Sequence, residues 1–487
     1  MNTEIQVIPK EQRKNVLFLT DDLRHTTGLA NQARIITKQL CGLYNWYCVG
    51  GSASVKPEER GKALNASKSL QDETKVEDAE LFIYPTENYG NQRLVRNIID
   101  KHNIDLIFHF TDPRYWQWLY EMEYELRMKQ IPLVYYALWD APPAPLYNGS
   151  SYVSCDTIIS ISKQSHAIHN KVIKNFENPV KKNPLLYYIP HAVDTEIFKP
   201  LDSEDPKYKS FLATYNIPED GLMVFWNNKN IKRKQPIDVL YGFGQFWDNF
   251  VKNNNGEKPK AFLYMHTNPY FSHGPNLVKC HKDLCPDADV RFSTNFLTEE
   301  QLNYLYNRAD VTVNLACNEG FGISGIESIA AGTPIINNVT GGLQDHLGLT
   351  KNDGSYLTAE DYQDFYPDVS VTDNKRFFEY AWGTWAFPVF HSTPVRNFIG
   401  TQETPYIFEE YPNIEKYTSI LEQVYNIKYG KLHGTKPNHL KEIGLKGREF
   451  LAEAGFTVDK LSENLHKAFQ KTLETYPTYK KETLITL

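Results

Sequence analysis

One stretch decides the fold of this chain: Asp310-Val-Thr-Val-Asn-Leu-Ala-Cys-Asn-Glu-Gly-Phe-Gly-Ile-Ser-Gly-Ile-Glu-Ser-Ile-Ala-Ala-Gly-Thr-Pro-Ile-Ile336. Its first apolar residues alternate as they do in a half-buried or fully buried strand, at Val311, Val313 and Leu315. A loop with Gly320 and Gly322 follows, and small residues then favour a helix from about Ile323 to Ala331. The pattern predicts a strand, a glycine loop and a helix in close succession.

The exit from this stretch supports the same interpretation. Gly332 stands where a glycine commonly ends a helix, and Thr333–Ile336 has the composition of the next strand. A glycine loop that leads into a helix presents backbone N–H groups to a phosphate. Glu319 and Glu327 flank this loop, and carboxylates accept hydrogen bonds from hydroxyl groups. A phosphate cradle beside two such acceptors suits a nucleotide sugar, which carries two sets of vicinal hydroxyls.

The segment Glu319-Gly-Phe-Gly-Ile-Ser-Gly-Ile-Glu327, followed by Ala330-Ala-Gly-Thr-Pro334, resembles the signature of the retaining glycosyltransferases of family 4. The resemblance implies the α/β fold called GT-B, in which two Rossmann-like domains face each other across a cleft. In that family the first glutamate lies against the hydroxyls of the donor sugar, and the second binds the ribose. The loop between them covers the sugar and the diphosphate, and here it consists of Gly320, Phe321, Gly322, Ile323 and Ser324.

The composition bounds the class of protein. At 487 residues the chain is too long for one hydrophobic core, and 41% hydrophobic with 23% charged residues is ordinary for a soluble globular protein. Six cysteines without a disulfide-framework spacing indicate a reducing compartment. There is no apolar run of membrane-spanning length and no signal-peptide core, so we expect a cytoplasmic protein, soluble or peripheral to a membrane. The net charge of −7 argues against broad affinity for nucleic acids.

The N-terminal half alternates strands with helical stretches, which predicts a parallel sheet covered by helices. Val16–Thr20 leads into a loop with Gly28 and then a helix, like the first βα unit of a Rossmann-like domain. In the resembled family this loop closes over the donor phosphates, so Gly28 is a candidate donor contact, with a plain turn as the alternative. The polar, patternless segment from Gly50 to Glu80 predicts an exposed loop or a small hairpin.

Two side chains stand at the expected carboxyl edge of this sheet, where ligands of α/β proteins bind. His109 ends the strand predicted at residues 104–110, and the resembled family often has a histidine motif there, close to the reacting sugar. A hydrogen-bonded core histidine is the alternative. Asp140 follows the next strand and is a candidate contact to the acceptor, although a turn or a helix cap explains it as well.

The segment Ile189–Pro200 resembles the crossing from the first domain to the second in this family, and residues 199–218 have the polar, Pro-containing composition of a linker. We therefore predict three parts. Residues 1–197 form an acceptor-side Rossmann-like domain, and residues 198–468 form a Rossmann-like domain that binds the nucleotide sugar. Residues 469–487 form a C-terminal segment that packs back toward the first domain.

A basic loop, Asn227–Pro236, follows the first strand predicted in the second domain. In the resembled family an arginine and a lysine five residues apart neutralise the donor diphosphate as it leaves. Lys229 and Lys234 stand at those positions, so a lysine point charge replaces the planar fork of arginine. Lys232 and Arg233 belong to the same loop and are further candidates to share this role. A solvated basic surface is the alternative.

Metal-binding patterns in the sequence are weak. Cys280, His281 and Cys285, with His273 nearby, fit no compact zinc-ligand spacing. The acidic pair of Asp287-Ala-Asp289 is better explained by a turn than by the metal-binding acidic motif of other transferases. We expect that the protein requires no metal.

The pattern breaks between about residues 346 and 412, where aromatic residues crowd. We predict an insertion in the second domain, either a structural elaboration or part of the acceptor cleft. Its aromatic side chains include Tyr362, Phe365, Tyr366, Phe377, Phe378, Trp382, Trp385 and Phe387.

The resemblance implies metal-independent transfer of a sugar from a UDP- or GDP-sugar to an acceptor hydroxyl, with retention of configuration. The catalytic candidates are Glu319, Lys234, Lys229 and His109. No permanently bound cofactor is expected, and the oligomeric state and the acceptor (a glycan, lipid, protein or modified nucleobase) stay open. Three alternative hypotheses remain: a GT-B nucleotide-sugar epimerase, a non-catalytic sugar-binding protein, and a transferase whose acceptor is a hydroxylated base in DNA.

Overall fold

The computed structural model describes residues 6–52, 55–56, 58–59, 62–178, 181–365, 379–390, 397–432, 434–436 and 439–478. Each half of the chain forms a parallel sheet with helices on its faces, and the two sheets turn their carboxyl ends toward a shared cleft. The predicted fold class, two Rossmann-like domains in the GT-B arrangement, is confirmed.

The first domain is built on an eight-stranded sheet. Its strands are β1 (Lys14–Asp21), β2 (Tyr44–Ser52), β3 (Leu64–Asn65), β4 (Leu81–Glu87), β5 (Leu106–His109), β6 (Leu133–Ala137), β7 (Thr157–Ser160) and β8 (Leu185–Tyr188). The spatial order is β3-β4-β2-β1-β5-β6-β7-β8, and every neighbouring pair is parallel except β3 with β4. Because both faces are covered, the inner strands are apolar along most of their length.

The helices of this domain lie between the strands along the chain. They are α1 (Gly28–Gln39), α2 (Ser67–Thr74), α3 (Gln92–His102), α4 (Gln117–Tyr120), α5 (Glu123–Met128), α6 (Gly149–Ser154) and α7 (Lys163–Ile173). Thr27 caps α1 by accepting a hydrogen bond from the Ala30 N–H through its side chain. The glycine loop predicted after the first strand therefore leads directly into a helix.

The segment from Gly50 to Glu80 differs from the predicted loop or hairpin. Its first residues extend β2 along the full length of β4, and the described residues after them include β3 and α2. Only Leu70 of α2 is buried, so the helix has almost no apolar periodicity by which it could have been recognised.

The second domain is built on a six-stranded sheet that is parallel throughout. Its strands are β9 (Leu222–Asn227), β10 (Ala261–His266), β11 (Val290–Ser293), β12 (Val311–Asn314), β13 (Ile335–Asn338) and β14 (Ala386–Val389), in the order β11-β10-β9-β12-β13-β14. Its helices are α8 (Pro206–Thr214), α9 (Pro236–Asn253), α10 (Leu277–Leu284), α11 (Glu299–Arg308), α12 (Ile323–Ala330), α13 (Ile414–Lys428), α14 (His439–Ala454) and α15 (Val458–Thr475).

The strand, glycine loop, helix and strand predicted for residues 310–336 are confirmed as β12, α12 and β13. Val311, Val313 and Leu315 are fully buried. Gly332 follows α12 with a φ of +80°, which is the left-handed conformation expected of a glycine at a helix end. Thr298 caps α11 in a capping box with Gln301.

The segment predicted as a linker, residues 199–218, contains helix α8. Asp205 caps this helix by accepting hydrogen bonds from the N–H groups of Lys207 and Tyr208, and Pro206 occupies its first turn. Its buried side chains pack on α11, which ties the segment to the second domain.

The segment predicted as an insertion contributes to the core of the second domain. Its strand β14 pairs with β13 and forms an edge of the sheet. Further along, β15 (Asn397–Ile399) and β16 (Ile407–Glu409) form an antiparallel hairpin. Of the aromatic residues predicted to crowd this segment, Tyr366, Phe377 and Phe378 lie outside the described residues.

Helix α15 returns from the second domain to the first. His466 Nδ1 is 2.8 Å from the hydroxyl of Tyr44, and the hydroxyl of Thr472 is 2.6 Å from that of Thr157 in β7. The chain end predicted to pack back on the first domain is described as far as residue 478. In the described residues, no helix is both long enough and apolar enough to cross a membrane.

Candidate active site

A cavity of about 600 Å³ opens between the carboxyl ends of the two sheets. Most of the residues predicted from the sequence as site residues line it: Gly28, Asp140, Lys229, Lys234, Glu319, Gly320, Phe321, Gly322, Ile323, Ser324 and Glu327. The first two come from the first domain and the rest from the second. The cavity therefore brings together residues that are almost 300 positions apart in the sequence.

Two glycines allow the loop before α12 to lie between the domains. Gly322 has a φ of +89°, and a Cβ atom there would lie 2.6 Å from a methyl group of Leu343. Gly320 faces the first domain, where a Cβ atom would lie 3.2 Å from the carbonyl oxygen of Leu138 and 3.0 Å from Ile161. The first N–H groups of α12, at Ile323 and Ser324, have no acceptor within the helix and border the cavity.

Glu319 is a buried carboxylate held by two cations. The Lys234 ammonium donates to Glu319 Oε2, and Arg233 Nη1 is 3.5 Å from the same oxygen. Burial alone would raise the pKa of Glu319, but Lys234 and Arg233 together lower it to about 2. Burial lowers the pKa of Lys234, and Glu319 partly offsets this. Glu319 is therefore ionised at neutral pH and is a strong acceptor.

Glu327 lies in a different environment. Its Oε2 accepts a 2.6 Å hydrogen bond from the hydroxyl of Tyr306, and that hydroxyl accepts one of 2.9 Å from Asn227 Nδ2. Burial raises the pKa of Glu327 to about 7, although the Tyr306 hydrogen bond acts in the opposite direction. This carboxyl group therefore changes ionisation near neutral pH, and its position is set by a hydrogen-bonded chain from β9.

Asp140 extends the charged cluster across the cleft. It lies just beyond the carboxyl end of β6, and its Oδ2 is 3.6 Å from Arg233 Nη1. Burial raises the pKa of Asp140, while Arg233 lowers it and Glu319 raises it. Arg233 thus lies between Asp140, the predicted acceptor-side carboxylate, and Glu319, a predicted donor-side residue.

The basic loop forms a 3₁₀ turn at Lys232–Lys234, directly before α9. Its first lysine, Lys229, lines the cavity with its ammonium 4.7 Å from the ring centre of Phe271. The exposed side chain of Lys232 lies outside the cavity and is 3.9 Å from Glu409. The basic loop therefore presents Lys229, Arg233 and Lys234 to the cleft and Lys232 to solvent.

The structure does not bring His109 to the cavity. Side chains alternate between the faces of a strand, so Phe110 lines the cavity while His109 points into the core beside Trp116 and Tyr135. Its Nδ1 is 3.1 Å from the hydroxyl of Tyr120, and burial lowers its pKa to about 3. The surroundings of His109 match the alternative given from the sequence, a hydrogen-bonded core histidine.

Other cavity residues were not singled out from the sequence. His191, after β8, lines the cavity, its Nδ1 is 2.9 Å from the hydroxyl of Tyr136, and its ring contacts Phe321 edge-on. Burial lowers its pKa to about 3, so it is neutral at physiological pH. Its place beyond the carboxyl end of a strand was the available signal. Asn228 and Leu302 also face the cavity.

The residues weighed as metal ligands have other contacts. Both carboxylate oxygens of Asp289 accept hydrogen bonds from Arg291, at 2.9 and 2.7 Å. His281 Nε2 is 3.0 Å from the carbonyl oxygen of Ala288. Within the described ranges, no three histidine, cysteine, aspartate or glutamate side chains are grouped as a metal site would require.

Sequence comparison with known families and proteins finds similarity to glycosyltransferases. Residues 278–366, which include the loop and α12, match the family "Glycosyl transferases group 1". The chain is 25% identical over 139 residues to the O-antigen chain mannosyltransferase RfbU of Salmonella typhimurium, and 40% identical over 67 residues to an uncharacterized glycosyltransferase of Methanocaldococcus jannaschii. These matches span 26% and 13% of this chain, and 38% and 17% of the two relatives.

Solved structures match almost the whole chain. The Anabaena protein Alr3699/HepE, in complex with UDP and glucose, gives a TM-score of 0.59 at 14% identity over 94% of this chain and 100% of its own. Sucrose-phosphate synthase from Thermosynechococcus elongatus gives 0.61 at 14% identity, over 95% and 100%. A glycosyltransferase from Rickettsia africae gives 0.60 at 14% identity, over 95% and 99%. The shared feature is the GT-B fold.

Proposed function

We propose that this protein transfers a glycosyl unit from a UDP- or GDP-sugar to an acceptor hydroxyl, with retention of configuration and without a metal. The observation that carries the proposal is that one cavity gathers a helix N-terminus, two lysines and two carboxylates of opposite character. The match of residues 278–366 to a glycosyltransferase family supports it. So does the similarity in fold to a protein solved with UDP and glucose.

The arrangement of the cavity suggests how the donor would lie. The diphosphate would face the N-terminus of α12, with Lys229 and Lys234 beside it. Glu327 would accept hydrogen bonds from the ribose hydroxyls, and Glu319 would accept them from the sugar. Phe321, Gly322 and the residues around them would cover the sugar and the diphosphate.

In this proposal the chief task of the protein is to stabilise the departing diphosphate. Negative charge grows on the leaving group as the bond to the sugar breaks, and preorganised cations and N–H groups lower the energy of that state. Lys229, Lys234 and the N-terminus of α12 would supply this stabilisation without a metal. Asp140 would contact the acceptor hydroxyl from the first domain. We assign no nucleophile and no catalytic role to His109.

The direct test is to incubate the protein with a panel of UDP- and GDP-sugars in excess chelator. We expect a thermal shift and slow release of the nucleoside diphosphate with the correct donor. Activity that disappears on chelation and returns with manganese or magnesium would overturn the metal-independent mechanism. Formation of an epimeric nucleotide sugar in the absence of any acceptor would identify an epimerase instead. A thermal shift without turnover, even with acceptors supplied, would identify a sugar-binding protein.

A further inference from the structure

Arg233 occupies a position that connects the two domains. Its Nη1 lies 3.5 Å from Oε2 of Glu319, which belongs to the second domain, and 3.6 Å from Oδ2 of Asp140, which belongs to the first. The same nitrogen also donates to the carbonyl oxygen of Asn318. Among the described residues that line the cavity, Arg233 therefore forms ion pairs with both domains.

The two carboxylate contacts of Arg233 are long. Strong charge-assisted hydrogen bonds between nitrogen and oxygen measure about 2.7–2.9 Å, so contacts of 3.5 and 3.6 Å are weaker than a guanidinium can achieve. A diphosphate offers more negative charge than a carboxylate, and the guanidinium fork can pair with two of its oxygens at once. An incoming diphosphate could therefore replace the carboxylates as the partner of Arg233.

The cluster is electrically balanced before a diphosphate arrives. Arg233 and Lys234 bring two positive charges, and Asp140 and Glu319 bring two negative ones. A diphosphate must compete with the carboxylates for these cations. Competition of this kind couples the binding of an anion on the donor side to the state of Asp140 on the acceptor side.

We propose that Arg233 is a positioning residue that holds Asp140 while the cleft contains no donor and moves to the diphosphate when the donor binds. The move releases the Asp140 carboxylate, which then accepts a hydrogen bond from the acceptor hydroxyl. Donor binding therefore precedes productive acceptor binding. This role rests on the proposed function, because it assumes that the diphosphate of a nucleotide sugar enters this cavity.

The experiment is a double-mutant cycle read by calorimetric titration with UDP, GDP and inorganic diphosphate. Asp140→Asn should tighten the binding of these anions by about 3- to 10-fold, because the carboxylate no longer competes for Arg233. Arg233→Gln should weaken binding by about 10-fold or more, through the loss of a charged donor. In the double variant the Asp140→Asn change should have no further effect on affinity.

Asp112→Asn is the matched control, since Asp112 is a nearby carboxylate that pairs with Arg114 rather than Arg233. A general gain in attraction for anions would appear in this control as well. The proposal is overturned if Asp140→Asn leaves the affinity unchanged or lowered, if the control matches it, or if its effect persists without Arg233. If inorganic diphosphate shows the cycle but UDP and GDP do not bind, the nucleotide-sugar function fails, while the competition between an anion and Asp140 for Arg233 stands. If none of the three anions binds to the wild-type protein, both fail.

Discussion

At the scale of single residues, Glu319 and Glu327, two glutamates eight positions apart, have contrasting surroundings. Glu319 is held ionised by Lys234 and Arg233, with a pKa lowered to about 2. Glu327 shares a hydrogen bond with Tyr306, and burial raises its pKa to about 7. Their different environments suit them to different parts of one ligand.

Exchanging each glutamate for glutamine separates the two roles. Glu327→Gln should weaken the binding of UDP or GDP by roughly 1.5–3 kcal/mol, because the ribose loses a charged acceptor. Glu319→Gln should not weaken it, since the loss of this carboxylate releases Lys234 for the diphosphate, but it should impair turnover of the whole donor. Calorimetry with the nucleoside diphosphate alone measures both. Equal losses in the two variants, or a larger loss in Glu319→Gln, would overturn the proposed orientation of the donor.

The raised pKa of Glu327 predicts a pH dependence for nucleotide binding. An ionised carboxylate accepts hydroxyl hydrogen bonds better than a neutral acid, so affinity should rise between pH 6 and pH 8, as the carboxyl group loses its proton near its pKa of about 7. The Glu327→Gln variant corrects for the ionisation of the nucleotide itself. A pH profile that is the same in both proteins would contradict the role of this carboxylate.

Lys234 tests stabilisation of the leaving group. Lys234→Ala should lower kcat by about 10²–10³ with a smaller rise in KM, because charge on the diphosphate grows toward the transition state. Lys232→Ala is the control, since it removes an exposed lysine from the same turn. The unfolding midpoint of each variant should be compared with that of the wild type, since Glu319 loses a partner. An effect confined to KM would mean that Lys234 binds the ground state only.

At the scale of elements, the hairpin of β15 and β16 joins the second domain to the loop after β6. The Phe408 N–H donates to the carbonyl oxygen of Pro142 at 2.7 Å, and the ring of Tyr406 contacts that of Tyr147 edge-on. On the other side, Asn318 Nδ2 donates to the carbonyl oxygen of Phe408 at 3.0 Å. The loop held in this way is the one that carries Asp140.

Loosening the hairpin should therefore impair the acceptor side of the reaction. Tyr406→Ala removes the ring contact with Tyr147 and the hydroxyl that accepts from the Leu146 N–H at 3.2 Å. We expect slower transfer to an acceptor with no loss of affinity for UDP or GDP. Tyr411→Ala is the control on the same segment, because the Tyr411 hydroxyl donates within the second domain, to Glu409. An equal loss of transfer in both variants would argue against a specific role for the bridge to the first domain.

At the scale of the whole molecule, a further polar contact joins the two domains. Asp345, in the turn Gly341–Leu347, accepts hydrogen bonds of 3.0 Å from the Lys163 N–H and from the hydroxyl of Tyr188, both in the first domain. Gln164 adds a contact by accepting from the Gly341 N–H at 3.1 Å. The same turn supports the loop before α12, since the Gly342 N–H donates to the carbonyl oxygen of Glu319.

Burial makes this contact sensitive to pH. It raises the pKa of Asp345 to about 6, against the opposing effect of Lys163. The folded protein thus holds a proton that the unfolded chain releases near pH 4, so the contribution of Asp345 to stability falls as pH rises from 4 to 6. Asp345→Asn keeps an acceptor but cannot ionise. The thermal midpoint of the wild type minus that of this variant should decrease over the same range, by the equivalent of up to about 3 kcal/mol. A constant difference would exclude this ionisation.

The sequence by itself determined the unit from β12 to β13 and the donor-side candidates on it. Apolar alternation, a glycine that adopts positive φ and a helix end are local properties, so they can be read without knowing what packs around them. The same holds for the basic loop that follows β9. The resemblance to a glycosyltransferase family rests on these local features.

Tertiary structure decided what depends on distant partners. Strand β14 is buried because it pairs with β13 and packs in the core of the second domain. Its sequence alone did not identify it as a strand of this sheet. His109 and His191 both follow apolar residues of a strand. The side chain of His109 nevertheless points into the core, whereas His191 lines the cavity. The meeting of Asp140 with Arg233 joins positions 93 residues apart, 140 and 233, on different domains. Such contacts arise only when the two sheets pack with their carboxyl ends together, because no local pattern encodes the distance between them.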